Sequence, residues 1–362
     1  MKIIQLIYSL ASGGAERFVV NLSNQLAAMG HEVHICMLLS DQVSRNTFNR
    51  QYVNKSVNVH SLGFDKGFSI KKSNIVQNYI LNLDPDVVHC HLNVIPYVFR
   101  LSLVNKSIKF VHTLHNVANN ASGKWWQRSI NRFFYTYKFI QPITISKVCD
   151  ESYQKFYHLN NSICIENGSI PPITTLDYEN VKREVDKYKK NDNTLVFLHV
   201  ARYHEQKNQK LLIDSFNQLS LQELNYTLLV LGEGFDAPGA DQLKDSASEN
   251  IHFLGVKSNV VDYLMCADAF CLTSIYEGLP ISLLEALACG VIPVCTAVGG
   301  IPDVITDGLN GYLSECSIQS YVNAIKRFLD GNISRDKLIS HFNKRFSISV
   351  CAENYVKAYE DK

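Results

Sequence analysis

The chain reads as an α/β protein of two doubly wound domains, and three observations point there. With 362 residues, 46% of them hydrophobic and 19% charged, it can bury two ordinary cores and is too apolar for global disorder. Each half alternates short apolar strands with helical segments, the pattern of parallel sheets joined by right-handed crossovers. A charged stretch over 177–193 follows Pro171-Pro172 and divides the halves. The expected organisation is therefore a first domain over 1–170, a linker over 171–193, a second domain over 194–345 and a terminal segment over 346–362.

The elements follow in order. Ile3–Tyr8 is a first buried strand; as a secretory signal it lacks both a longer apolar region and a small-residue cleavage site. A helical segment lies around Phe18–Met29 and a strand over Glu32–Leu39. Asp86–Cys90, Lys109–Leu114 and Pro142–Ser146 are further strands. The second half repeats the habit with Thr194–Val200, Tyr226–Leu231, Ile251–Leu254, Ala269–Leu272 and Ile292–Thr296. No apolar run approaches the roughly 18 residues of a spanning helix. Asp84-Pro85-Asp86 spells a metal-binding Asp-x-Asp, but Val87-Val88 follow at once, so it reads as the polar lead into a strand.

A net charge of +1 argues against a general nucleic-acid binder. The balance hides an asymmetry: residues 1–170 hold 17 Lys/Arg against 9 Asp/Glu, and residues 171–362 hold 18 against 25. The basic first half suits anionic lipid or an anionic acceptor, or is uneven surface charge. Ten cysteines form no C-x-x-C pair and no Cys/His metal spacing; Cys36, Cys90, Cys271 and Cys295 lie in apolar runs. Reduced buried thiols and a cytoplasmic setting are expected.

The most informative stretch is Tyr276-Glu277-Gly278-Leu279-Pro280 running into Leu283-Leu284-Glu285-Ala286-Leu287. Gly278 and Pro280 end a strand segment and open a helix. Glu277 then lies in a loop at a strand's carboxyl end, where parallel sheets bind ligands, and Glu285 lies on the helix, whose N-terminus suits phosphate. Arg202 and Lys207 share the loop Ala201-Arg202-Tyr203-His204-Glu205-Gln206-Lys207-Asn208 after Thr194–Val200. Two cations there can neutralise a departing diphosphate; the plainer reading is a solvated basic loop. Ser12-Gly13-Gly14-Ala15-Glu16-Arg17 follows the first strand, and its paired glycines allow close backbone approach or simply make a tight turn. In Phe110-Val111-His112-Thr113-Leu114-His115 alternation puts His112 with Leu114 and Thr113 with His115, and His115 is nearest the carboxyl edge. His91 is a further strand-end candidate. Lys124–Lys138 reads as a basic amphipathic helix. Trp125, Trp126, Ile130, Phe133, Phe134 and Tyr137 fall on one side, with Lys124, Arg128, Arg132 and Lys138 on the other. It either packs its aromatics on the core or meets a membrane surface.

The Glu277/Glu285 block continues with Ala288-Cys289-Gly290-Val291-Ile292-Pro293-Val294, Val298-Gly299-Gly300-Ile301-Pro302-Asp303 and Asp307-Gly308-Leu309-Asn310-Gly311-Tyr312. In order over these residues, it resembles the family-4 retaining glycosyltransferases, whose Glu, seven residues, Glu signature corresponds to Glu277 and Glu285. The resemblance implies the GT-B fold, two Rossmann-like domains facing a central cleft, with the last helix (346–362) crossing back to the first domain. It places Arg202 and Lys207 on the diphosphate, with Gly13, Gly14 and the segment Gly278, Leu279, Pro280, Ile281 near the donor. It also places Glu285 on ribose and Glu277 on the sugar or on charge at the reacting carbon. His115, with His112 as alternative, falls at the transferred sugar, and the backbone of Phe253-Leu254-Gly255-Val256 at the nucleobase. Asn167-Gly168 matches the family's turn before the linker, but Ser169-Ile170-Pro171 replaces the usual hydrophobic residue and Asp.

The implied function is transfer, with retention, of a hexose or N-acetylhexosamine. The donor is a nucleotide sugar, UDP-linked first, and the acceptor a saccharide or lipid-linked saccharide, in bacterial surface polysaccharide biosynthesis. No cofactor, metal or nucleic acid is implied, and the setting is cytoplasmic, with peripheral contact at the inner face of the membrane. A nucleotide-sugar epimerase of similar fold and a non-catalytic sugar-nucleotide-binding scaffold are the alternatives. The sugar, the base and the linkage stay open, and the acceptor loops Arg45–Asp65 and Ala118–Lys124 carry no decodable pattern.

Overall fold

The computed structural model describes residues 1–121, 125–220, 222 and 224–361, the Trp125 side chain excepted. The chain forms two compact units, Met1–Ser169 together with the segment from Ile348, and Ile170–Ser347.

The first unit is built on a seven-stranded sheet of β1 (Lys2–Ile7), β2 (Glu32–Leu39), β3 (Val57–Phe64), β4 (Val87–His91), β5 (Lys109–Leu114), β6 (Gln141–Thr144) and β7 (Ile163–Cys164). The order is β3-β2-β1-β4-β5-β6-β7, with every pairing parallel. Its helices are α1 (Gly14–Ala28), α2 (Ile70–Leu83), α3 (Ile95–Val104), α4 (Ala118–Ala121), α5 (Trp125–Thr136) and α6 (Lys147–Tyr157), joined by the C-terminal helix Ile348–Glu360. Central strands are mostly apolar because helices cover both faces, with Gln5 in β1, His89 and His91 in β4, and His112 and Thr113 in β5 as buried polar exceptions. One face buries Leu6, Cys36, Val88, Cys90 and Leu114 against Tyr135, Tyr153 and Tyr157. Ser69 caps α2 by accepting from Lys72 N at 3.2 Å, and Asp84 ends it in the left-handed conformation just before Pro85. Asp86 accepts from Lys2 N at 2.7 Å, tying β1 to the lead into β4.

Two strands of this sheet have no continuous apolar run to mark them. β3 is an edge strand whose apolar residues alternate with Asn58, His60 and Gly63, and β7 has only two residues. Helix α1 begins four residues before Phe18, because Gly13-Gly14 carry no apolar periodicity to mark its start. In α5 the aromatics do not share one buried side. Phe134 and Tyr135 are buried, while Phe133 and Tyr137 stand 46% and 62% exposed beside exposed Arg132 and Lys138. The expected helix start at Lys124 lies outside the described residues, as does part of the Ala118–Lys124 loop.

The second unit holds α7 (Tyr178–Asp186) and a six-stranded sheet of β8 (Leu195–Val200), β9 (Tyr226–Leu231), β10 (Ile251–Gly255), β11 (Ala269–Leu272), β12 (Ile292–Thr296) and β13 (Tyr312–Ser314). Their order is β10-β9-β8-β11-β12-β13, again all parallel. Crossovers run through α8 (Gln209–Ser220), α9 (Ala240–Asp245), α10 (Val260–Met265), α11 (Ile281–Ala288) and α12 (Ile301–Val304), and α13 (Ile318–Asp330) and α14 (Arg335–Arg345) follow β13. The 171–193 segment is packed structure rather than bare connector. Val181 and Val185 of α7 are buried, Glu184 accepts from Tyr263 at 2.7 Å, and Asp262 accepts from Thr175 N and Oγ1 at 2.8 and 2.5 Å.

Candidate active site

In the second sheet the strand order reverses between β8 and β11. The loops leaving these neighbouring strands therefore start side by side and run in opposite directions, the crevice geometry that binds ligands in open α/β sheets. Arg202 and Lys207 leave β8; Glu277 leaves β11. Lys207 sits in a tight turn over Glu205–Lys207 that Asn208 closes in the left-handed conformation, with φ 48°. Its ammonium reaches Glu277 Oε1 at 2.5 Å, with the two side chains only 16% and 7% exposed. Ser274 Oγ donates to the same carboxylate oxygen at 2.6 Å.

The loops are fastened to each other. Thr273 Oγ1 donates to the carbonyls of Lys207 and Asn208 at 3.1 Å each, Ile275 N to Gln206 O at 2.8 Å, and Gln206 Nε2 to Tyr276 O at 2.9 Å. A third loop, after β12, closes from the other side: Gly300 N donates to Gly278 O at 2.8 Å. Gly299 has φ +56°, and a Cβ there would lie 1.9 Å from Glu277 O, so only glycine lets the backbones meet. The Arg202 side chain is exposed, while its carbonyl accepts from buried Gln209 at 2.9 Å.

Helix α11 begins just beyond Glu277, with Pro280 as its N-cap. Leu279 and Ile281 are buried, so their part toward any ligand is limited to backbone. Glu285 is partly exposed on α11, and Val256 is exposed just past the end of β10. Two cations, a carboxylate and the first turn of a helix thus lie at one sheet edge.

In the first sheet the reversal falls between β1 and β4. Gly13 and Gly14 open α1 beyond β1, where Arg17 N donates to Gly13 O at 2.9 Å. His115 follows β5, and its Nε2 lies 3.0 Å from His91 Nδ1. Burial, then the nearby His112, pushes its pKa down to about 3, so it is neutral. His112 points to the opposite face, committed to Tyr135 OH at 2.6 Å and Leu92 O at 2.7 Å, and burial pushes it down to about 4. Sequence reasoning did not single out Ser274, Gln209 or Gln5. A signal for Gln5 existed: one glutamine interrupts Ile3-Ile4-Gln5-Leu6-Ile7.

Two doubly wound parallel sheets, each with polar groups at its switch point, match the architecture of the GT-B glycosyltransferases among solved structures. Residues 12–168 match the family described as Glycosyltransferase Family 4, and residues 180–345 the one described as Glycosyl transferases group 1. The chain belongs to the family-4 glycosyltransferases. It is similar to N-acetyl-alpha-D-glucosaminyl L-malate synthase of Bacillus anthracis, 27% identical over 320 residues, which are 84% of this chain and 81% of that one. It is also similar to the Campylobacter jejuni GalNAc-alpha-(1->4)-GalNAc-alpha-(1->3)-diNAcBac-PP-undecaprenol alpha-1,4-N-acetyl-D-galactosaminyltransferase, 25% identical over an alignment that covers 99% of this chain and 98% of that one. Among solved structures, Anabaena HepE in complex with UDP-glucose superposes with a TM-score of 0.82 over all of both chains at 16% identity, a likeness of fold. Among the described residues, no helix is long and apolar enough to cross a membrane.

Proposed function

We propose that this glycosyltransferase moves a hexose or N-acetylhexosamine from a UDP-linked donor, with retention, onto a saccharide or lipid-linked saccharide acceptor. The Lys207–Glu277 pair at the β8/β11 switch point carries the reading. A buried cation poised there, with Arg202 on the same loop, suits a diphosphate. Glu277 suits a sugar hydroxyl, Glu285 the ribose, and the backbone at Gly278–Ile281 a phosphate oxygen. Gly13 and Gly14 are assigned to the donor side of the first unit, Val256 to the base and His115 to the sugar. In the step itself, the acceptor oxygen bonds to the anomeric carbon on the face the leaving group vacates. The bond from that carbon to the phosphate oxygen breaks, and the acceptor proton passes to the departing phosphate. Arg202 and Lys207 then stabilise the charge that develops, which is the task a metal would otherwise perform.

The UDP donor is proposed first because the Anabaena neighbour holds UDP-glucose. A lipid-linked acceptor is supported by the undecaprenol-linked substrate in the name of the Campylobacter relative. A place in surface polysaccharide assembly at the cytoplasmic face would bring the enzyme to a membrane. Exposed Phe133 and Tyr137 beside Arg132 and Lys138 are suited to peripheral contact there.

The test is thermal stability with UDP, GDP and ADP, each with and without EDTA, followed by turnover of Lys207→Ala. Stabilisation by UDP that EDTA leaves intact, with turnover lower by a few kcal/mol of barrier, is expected. No shift with any nucleotide, or a folded variant at wild-type turnover, would overturn the diphosphate clamp.

A further inference from the structure

A buried polar chain runs behind His115. Gln5 lies in the middle of β1 with its side chain fully buried. Its Oε1 stands 2.6 Å from His91 Nε2, and His91 Nδ1 stands 3.0 Å from His115 Nε2. With the carboxamide oxygen of Gln5 set toward His91, that oxygen accepts and the proton is assigned to His91 Nε2. Burial, then neighbouring His89 and His115, holds His91 well below the ordinary histidine range, so it is neutral and its Nδ1 offers a lone pair. His115 Nε2 must then donate, and the lone pair of neutral His115 is left on Nδ1.

A second layer fixes these rings. His89 lies with its ring centroid 3.9 Å from that of His91. It is hydrogen-bonded to Tyr359 OH at 2.8 Å and Thr113 Oγ1 at 2.7 Å, and Thr113 Oγ1 meets Tyr355 OH at 2.9 Å. Phe18 sets its ring edge-to-face with both His91 and His115. The Gln5 side chain also meets the hydroxyl of Tyr359, the same hydroxyl that bonds His89.

We propose that Gln5 and His91 are positioning residues that hold His115 in the tautomer protonated on Nε2, so that it presents Nδ1 as a hydrogen-bond acceptor for a hydroxyl of the transferred sugar. This rests on the reading that gives His115 a place at that sugar. A tautomer set from behind makes the imidazole a one-way acceptor, which favours a sugar with a hydroxyl donor at the contacted position over a deoxy analogue.

The experiment is imidazole nitrogen NMR on the full-length protein labelled at histidine, with kinetics on Gln5→Met, which keeps side-chain length and removes the acceptor. The wild-type His115 signals are expected to show a protonated Nε2 and an unprotonated Nδ1. In Gln5→Met they are expected to move toward a tautomer mixture while kcat falls about tenfold and donor KM holds, a loss at the lower end of that seen when metal-ligating imidazoles lose their orienting partners. A wild-type His115 protonated on Nδ1 or charged at neutral pH overturns the proposal even if the variant does not fold. An unchanged kcat in a folded Gln5→Met whose tautomers mix overturns it as well. Full activity of His115→Ala removes the sugar contact itself, and with it the purpose of the relay, whichever tautomer is seen.

Discussion

Replacing Lys207 with Met should destabilise the second unit markedly, and replacing its partner as well should restore most of the loss. Lys207 Nζ and Glu277 Oε1 are 2.5 Å apart, and the carboxylate is 7% exposed. Without the lysine, Glu277 keeps Ser274 Oγ at 2.6 Å as its side-chain donor. Breaking a buried ion pair by removing one partner costs about 3–5 kcal/mol. The serine and the slight exposure of Lys207 place this pair near the low end, at about 3 kcal/mol. For a unit of this size that corresponds to a melting shift of roughly 6–12 °C. Lys207→Met with Glu277→Gln leaves no uncompensated charge, since Ser274 can still donate to the amide oxygen, and should return to within about 1 kcal/mol of wild type. Urea unfolding of the wild type, both single variants and the double variant measures the coupling directly. A Lys207→Met protein within about 0.5 kcal/mol of wild type, or a double variant no more stable than Lys207→Met, would refute the argument that the pair is a desolvated, mutually dependent unit.

Gly299→Ala should cost more than about 2 kcal/mol, because the new Cβ meets Glu277 O at 1.9 Å with φ at +56°; a melting temperature equal to wild type would contradict the close backbone approach. Burial lowers the folded-state pKa of His199 from 6.5 to about 4, so between those values the unfolded chain takes up a proton that the folded one refuses. The stability this histidine contributes is full above pH 6.5 and falls by about 1.4 kcal/mol per pH unit toward pH 4; unfolding midpoints that stay flat over that window would exclude it. Tyr355→Phe removes the hydroxyl partner of buried Thr113 Oγ1 at 2.9 Å and should lower stability by about 1 kcal/mol, visible as earlier urea unfolding of the first unit. Phe133→Ser with Tyr137→Ser should reduce sedimentation with vesicles rich in anionic lipid, while the melting temperature falls only modestly, since the rings are 46% and 62% exposed and otherwise pack on each other and on Phe134 and Phe139; unchanged sedimentation would clear α5 of any membrane role.

Much of the fold was legible because parallel central strands leave a local trace. Strands buried on both faces are mostly apolar, and β2, β5, β9, β11 and β12 fall on the residues that their hydrophobic runs mark. The edge strand β3 carries only an alternation of apolar and polar residues, a signal that a search for apolar runs passes over, and β7 and β13, of two and three residues, are too short to leave one. Helix α7 was hidden by its charge: only Val181 and Val185 are buried, and its other anchors, such as Glu184 to Tyr263, are long-range.

The candidate site divides along the same line. The sequence by itself determined that Glu277 stands just past a strand, that a helix opens at Pro280, and that Arg202 and Lys207 share a loop, because chain breaks, helix starts and strand ends are written in consecutive residues. Only the tertiary structure decided that Lys207 meets Glu277, 70 positions away in sequence, and that Gln5, His91 and His115 form one chain from β1 to β4 to the end of β5. Those contacts depend on which strands become neighbours. The order β3-β2-β1-β4 in one sheet and β9-β8-β11-β12 in the other follows from packing helices on both faces with right-handed crossovers, a property of the assembled layers that no local stretch of sequence records.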